Sequence, residues 1–188
     1  MTLRILLGTA AAALLVLGSG CAFQASPYQP SISNVTLLKR ETTQVVRVAP
    51  FTLAPQAATA GAAIGLRGGS MNSPVGNHYA DYLAAALQSD LALAQRFDAK
   101  SLVSISGVLQ GTDVDAAMGT GSGYIEARFV VTRDGQVRYD KVKRGTQTWE
   151  SSFAAAVAVP AAQRAYPLIV ENLLTNLFSD ADFQSALK

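Results

Sequence analysis

The stretch "GYIEARFVVTRDGQVRYDKVKRGTQTWESSF", Gly123 to Phe153, constrains this chain more than any other. Ile125, Ala127, Phe129 and Val131 alternate with Glu126, Arg128 and Val130, the period-two pattern of a strand with one buried face. Asp134-Gly135 supplies the positive φ values of a tight hairpin turn, and a second long strand returns. Such a hairpin has one apolar face that other elements must cover.

The covering elements are legible on both sides. Upstream, "QVVRVAPF" is rich in β-branched residues and reads as a strand stopping at Pro50. From His78 to Phe97 the period becomes helical, with Tyr79, Leu83, Leu87, Leu91 and Ala94 on one face and Ser73-Pro74 or Asn77 to begin it. "SLVSISGVLQ" is a strand with Val103, Ile105 and Leu109 on one side. Tyr166, Ile169, Val170, Leu173, Leu174 and Leu177 form a helical stripe that starts at Pro160 or restarts at Pro167. The predicted order is β-α-β-β-β-α: an α+β fold, mainly an antiparallel sheet with two helices on one face. Residues 52–77, rich in Ala, Gly, Ser and Pro, read as a long loop that the core does not need.

The first twenty residues are of another kind. Arg4 precedes an apolar run from Ile5 to Leu17, followed by Gly18-Ser19-Gly20. The run falls short of the ~20 residues that span a bilayer, so 1–20 reads as an export signal. Cys21 is the only cysteine among 188 residues. The run "LLVLGSGC" resembles the lipobox of bacterial lipoproteins, which implies cleavage before Cys21 and acylation of its sulfur and new N-terminus. Ala22 in the next position implies sorting to the outer membrane. Two or three acyl chains anchor stably where one does not. "AFQASPYQPSISN" then reads as a polar tether, giving a signal peptide 1–20, a lipid-anchored tether 21–34 and a single periplasmic domain 35–188.

Charge and residue types narrow the chemistry. With 15 basic and 13 acidic residues, loss of Arg4 leaves 14 − 13 = +1, which gives no electrostatic case for nucleic acid. His78 is the only histidine, so a tetrahedral zinc site lacks ligands. A triad of His78 with Asp81 and Ser73 has no nucleophile motif around it, and His78 reads as a cap. "GTGSG" at 119–123 lacks a following Lys and leads into a strand, so it reads as a turn. Asp113 and Asp115 point one way from a strand but supply too few oxygens for calcium. Arg67, between glycines, suits a carboxylate or phosphate. Trp149 is either core or a contact residue, and with Arg67 and Tyr124 it completes the candidate partner-binding set. No catalytic residue, metal ligand or cofactor is expected.

"SMNSPVGNHYADYLAAALQSDL", "IEARFVVTRDGQVRYDK" and "WESSFAAAVAVPAAQRAYPLIVENLLTNLF" together resemble small proteobacterial outer-membrane lipoproteins of the YajG type. Their domain is akin to the N-terminal module of TolB and to auxiliary lipoproteins of lipid-transport ABC systems. The resemblance implies an α/β domain in the envelope and carries over no active-site residue. The expected role is a non-catalytic binding or assembly module, attached to the outer membrane through Cys21 and meeting a protein or cell-wall partner. The alternative is an amphiphile carrier, its cavity lined by the Ala-rich loop and "AAAVAV".

Overall fold

A computed structural model describes residues 21–188; the export signal expected over 1–20 lies outside the described residues. The predicted hairpin forms as β6 (Gly119–Arg133) and β7 (Gln136–Ser151), turning at Asp134 and Gly135 with φ of 51° and 73°. Strand β5 (Ser104–Asp115) pairs antiparallel with β6, and β2 (Arg47–Leu53) pairs parallel with β5, giving the order β2-β5-β6-β7. Two of the sheet's three pairings are antiparallel, and the third, at the β2 edge, is parallel. Strand β2 also runs through Pro50 instead of stopping there. It is an edge strand whose register shifts between Val48 and Phe51, and an edge bulge is where a strand tolerates a missing N–H.

One face of this sheet carries the core. Helix α4 (Ala155–Phe178) lies along β7 and β6, and α3 (Tyr79–Leu93) along β2 and β5. Phe129, Ile125 and Val131 from the sheet meet Ile169, Leu173 and Leu177 from α4 and Leu83, Leu87 and Leu91 from α3, all fully buried. The approach of α4 depends on Gly145. A Cβ there would stand 2.4 Å from both the Ile169 carbonyl oxygen and the Leu173 nitrogen, so helix backbone rests on strand backbone. Three tyrosines pack between the helices, and each hydroxyl is satisfied: Tyr79 donates to the Met71 carbonyl, Tyr82 to the Ser26 carbonyl, and Tyr166 shares a bond with Thr112.

Helix α4 is continuous through Pro160 and Pro167, where a start or restart was expected. Pro167 has no N–H to give the carbonyl four residues earlier, that of Gln163. That carbonyl instead accepts the Ser26 N–H at 3.0 Å. The proline thus provides an acceptor for another segment at a place where the helix is packed firmly enough to survive it.

Three further expectations are corrected. Five helices are present among the described residues instead of two, and a second sheet, β1-β4-β3, stands beside the first. Residues 52–77 are largely folded: a 3-10 turn (Pro55–Ala57), α2 (Ala58–Ala62), β3 (Ala63–Leu66) and β4 (Gly69–Asn72), with Ala57, Ile64, Leu66 and Met71 buried. The small residues are there because the packing is close. A Cβ on Gly61 would lie 2.5 Å from Leu53. Nor is 21–34 a free tether. Residues Ala22–Gln24 form β1, parallel to β4, and α1 (Ile32–Glu41) begins inside the span, capped by Ser31. At the far end α5 (Ala181–Ala186) is tied down by its cap, Asp180. That carboxylate accepts from the Tyr139 hydroxyl (3.1 Å) and pairs with Lys143 (2.5 Å). Burial works to raise the Asp180 carboxyl, but Lys143, the Asp182 N–H and Tyr139 outweigh it and hold it below the ordinary carboxylate value.

Three expected outcomes follow from this architecture. Gly145→Ala forces α4 off the sheet and lowers stability by about 1–3 kcal/mol. Gly135→Val costs about as much through backbone strain alone, since nothing lies within 4 Å of its Cβ position. Gly65→Ala, with open space and ordinary φ, serves as the control that leaves the urea midpoint near wild type. Deletion of residues 57–66 removes β3 and the buried Ile64 and Leu66, so it abolishes the cooperative transition; a deletion variant melting like wild type would show that the second sheet is dispensable.

Candidate functional site

The N-terminal segment is fixed by polar contacts before it reaches Cys21. Asp90, on α3 between Leu87 and Leu91, is fully buried and accepts the Tyr28 hydroxyl (2.9 Å), the Ser31 N–H (3.0 Å) and the Asn34 amide (3.1 Å). Ser31 Oγ also donates to Glu171 on α4 at 2.6 Å, and Thr175 donates to Asn34 Oδ1. Burial raises the Asp90 carboxyl above its ordinary value and raises the Tyr28 phenol as well. Sequence reading missed this network. Its one visible signal was a carboxylate set within the apolar stripe of α3.

Further up, Gln163 holds residues 24–26 as a strand neighbour would. Its carbonyl accepts from Ser26 and its side-chain amide donates to the Gln24 carbonyl at 2.6 Å. Cys21 then enters the β4 ladder, its carbonyl accepting the Ser70 N–H at 3.0 Å. Gly69 permits this: a Cβ there would lie 2.3 Å from the Cys21 oxygen. The Cys21 thiol is free and exposed.

Arg67 and Gly68 make the β3–β4 turn with φ of 50° and 80°. The Arg67 guanidinium reaches across to the Ser152 carbonyl at 3.0 Å, so the turn beside Cys21 touches the junction between β7 and α4. Trp149 lies near that junction on the helix-facing side of the sheet. It pairs with Gly121, and a Cβ on Gly121 would meet the indole at 2.4 Å, so the ring lies over the glycine. The ring is half-buried and packs on the core, while its Nε1, also buried, has no hydrogen-bond partner among the described residues.

Cys21, Arg67 and Trp149 are thus gathered toward one end of the molecule. Tyr124 belongs elsewhere, on the sheet face that none of the described helices covers. There it stacks on the Arg144 guanidinium, 3.8 Å from ring centroid to Cζ, a cation–π contact beside a recess of about 230 Å³ flanked by Asp113 and Asp115. Arg144 also bonds Glu126 at 3.2 Å, and Arg128 pairs bidentately with Asp140 on the same face. The face is polar, with Val108, Val130 and Val142 among its charges.

His78 caps α3, its Nδ1 accepting the Asp81 N–H at 3.3 Å, and Asp81 accepts from the Asn77 N–H. Ser73 spends its hydroxyl on the turn at Val75. Residues 119–123 open β6, with Ser122 and Gly123 in register with Asp115 and Val114. The segments a carrier would use are placed differently from that expectation. Residues 58–66 pack against β5, and Phe153 to Val157 are all exposed. No helix among the described residues is long and apolar enough to cross a membrane.

Trp149→Ala should destabilise by about 2 kcal/mol, below the ~3–5 kcal/mol of a fully buried aromatic, because the ring is only partly buried against the core. Gly121→Ala should push the indole aside and blue- or red-shift its single-tryptophan emission; an unchanged spectrum would mean the ring does not rest on the glycine.

No family model matches the sequence, and no curated protein sequence does. Among solved structures, protein XCC0632 of Xanthomonas campestris, which carries the family model DUF330, superposes with a TM-score of 0.54 at 15% identity, over 88% of this chain and 96% of that one. Protein CT253 of Chlamydia trachomatis reaches a TM-score of 0.39 at 11% identity, over 74% and 95% of the two chains. Lipoprotein GNA1162 of Neisseria meningitidis reaches 0.29 at 9% identity, over 62% and 92%. The likeness to XCC0632 extends over almost the whole of both chains, and at this identity what it shows is a common fold.

Proposed function

We propose that this chain is a lipid-anchored protein of the bacterial envelope, held at the outer membrane by acyl chains on Cys21, whose domain works by binding a partner rather than by catalysis. The observation that carries the anchor is that the single cysteine stands exposed at the first of the described residues, directly after the lipobox-like run. The partner surface is the helix-free face of the four-stranded sheet, centred on Tyr124 and Arg144. An aromatic ring and a guanidinium stacked beside two carboxylates offer both apolar contact and directed hydrogen bonds, the residue types that dominate binding energy at interfaces. The partner is a protein or cell-wall glycan of the periplasm, in keeping with the resemblance to YajG-type and transport-auxiliary lipoproteins.

Two measurements test this reading. Cys21→Ser should shift the protein from the membrane pellet to the soluble periplasmic fraction and remove the acyl mass from its N-terminal peptide. Retention of the variant in outer membranes, with no acyl mass on wild type, would refute the anchor. A photo-crosslinking residue at Thr146, on the open face, should give a discrete adduct in intact envelopes that Arg144→Ala weakens, while one at Ala99 should give none. Equal adducts from both positions would remove the sheet face as the partner surface.

A further inference from the structure

Helix α4 opens with a feature the fold does not need. Phe153, Ala154, Ala155, Ala156 and Val157 are consecutive, apolar and all exposed, Phe153 at 78% and Val157 at 57%. A run of that kind on a water-soluble surface is a liability unless something covers it. Met118, 71% exposed, stands beside it. The last ladder pair of the hairpin's open end is Gly119 with Ser151, so Met118 lies one residue beyond that pair on one strand and Phe153 two beyond on the other. Ala154 occupies the N-cap and offers no side chain to the first turn, where Ser, Thr, Asp or Asn would normally face water.

The position of Cys21 says what meets this patch. Ser26 is bonded to Gln163 and Ser31 to Glu171, so five residues of the N-terminal segment run alongside eight residues of α4, about 12 Å of helix. The five residues from Ser26 back to Cys21 continue the same course and bring Cys21 level with the first turn of α4. Arg67 confirms the neighbourhood independently, because it bonds Ser152 next to Phe153 and sits two residues from Gly69, which touches the Cys21 carbonyl. Chains attached at Cys21 therefore leave the protein beside Phe153.

We propose that this end of the domain is a membrane-contact surface: Phe153, Met118 and Val157 enter the boundary between headgroups and acyl chains of the bilayer that holds the lipidated Cys21. The inference rests on the anchored reading above and adds a geometry to it. With Cys21 locked into the β4 ladder, no slack chain separates anchor from domain, so the surface around the anchor must meet lipid. Three apolar side chains on one end match the shallow insertion of interfacial segments. Arg67 is set to meet lipid phosphates, as are the uncapped N–H groups of the first helical turn. Glu150 and Asp115 are the nearby carboxylates; they point to the open sheet face, one residue before Ser151 and three before Met118 respectively.

The test uses the lipidated protein in vesicles of phosphatidylethanolamine and phosphatidylglycerol. Acylation blocks Cys21, so Phe153→Cys and, as control, Ala99→Cys each carry a single environment-sensitive fluorophore. The label at 153 should be quenched by lipids bearing a shallow nitroxide and shielded from aqueous iodide about fivefold relative to the label at 99. Phe153 is exposed, so folding is not at stake. If the acyl mass is present and both labels are equally open to iodide, the contact surface is refuted while the anchor stands. Iodide shielding at 153 without nitroxide quenching would mean that a second copy of the chain covers the patch, which also overturns the proposal. If no acyl mass is found, the anchored reading fails and this inference fails with it.

Discussion

The bond from Ser26 to the Gln163 carbonyl, at the point where Pro167 withholds its N–H, sets the relation between the N-terminal segment and everything else. A helix-interior proline ordinarily costs ~3 kcal/mol, partly through the carbonyl it leaves unpaired. Here that carbonyl becomes an acceptor for a chain running alongside, and the Gln163 side chain returns a second bond to Gln24. Asp90 completes the attachment lower down by drawing in Tyr28, Ser31 and Asn34. A buried carboxylate is costly without partners, and three donors converging on two oxygens are what make it tolerable. The consequence is that residues 21–34 belong to the domain and that Cys21 has a fixed address.

That address has meaning only because α4 is itself rigidly placed. Gly145 lets the helix sit backbone on backbone against β7, and Asn172 and Asn176 donate from α4 to the Thr146 and Arg144 carbonyls. Those two carbonyls are on the unpaired edge of β7, so the helix also covers part of an edge that would otherwise be open to another strand. Lys141 and Lys143, reaching to Asp182 and Asp180, continue the cover toward α5. One helix therefore seals the core, blunts the edge strand and carries the N-terminal segment.

What the sequence disclosed and concealed divides along physical lines. The β5–β6–β7 meander, α3 and the C-terminal half of α4 were legible because each repeats an apolar period against a solvated face, and Asp134-Gly135 admits few other conformations. The second sheet was concealed because Ala, Gly and Ser carry no periodic signal. Their role there is to let backbones approach, as Gly69 does at Cys21 and Gly61 at Leu53, and small size looks like looseness in one dimension. The tether misled for a related reason: Pro27, Pro30 and polar residues suggest solvated chain, but Tyr28 and Ser31 are polar because Asp90 and Glu171 await them. Of the candidate site residues, Cys21 came beside Arg67 through the Ser70 N–H on its carbonyl, and Arg67 reached the β7–α4 junction at Ser152, 85 residues away, contacts that no spacing could reveal. Tyr124 acquired its partner Arg144 only through hairpin register.

A domain tethered by slack chain can sample any orientation, and its binding face then has no preferred direction. A domain whose anchoring residue is hydrogen-bonded into a sheet loses that freedom. Because the Gly119–Ser151 end of the β6–β7 hairpin lies near Arg67 and Cys21, the proposed anchor there would stand these strands upright on the bilayer. The helix-free face with Tyr124 and Arg144 would then look along the membrane surface, and the Tyr139–Asp180 corner would point into the periplasm. A lateral binding face suits partners that share the membrane or span the gap beside it better than ones arriving from above. The contacts at Ser26, Asp90 and Ser70, none of them at a binding surface, would on this reading govern partner choice by fixing which way the domain faces.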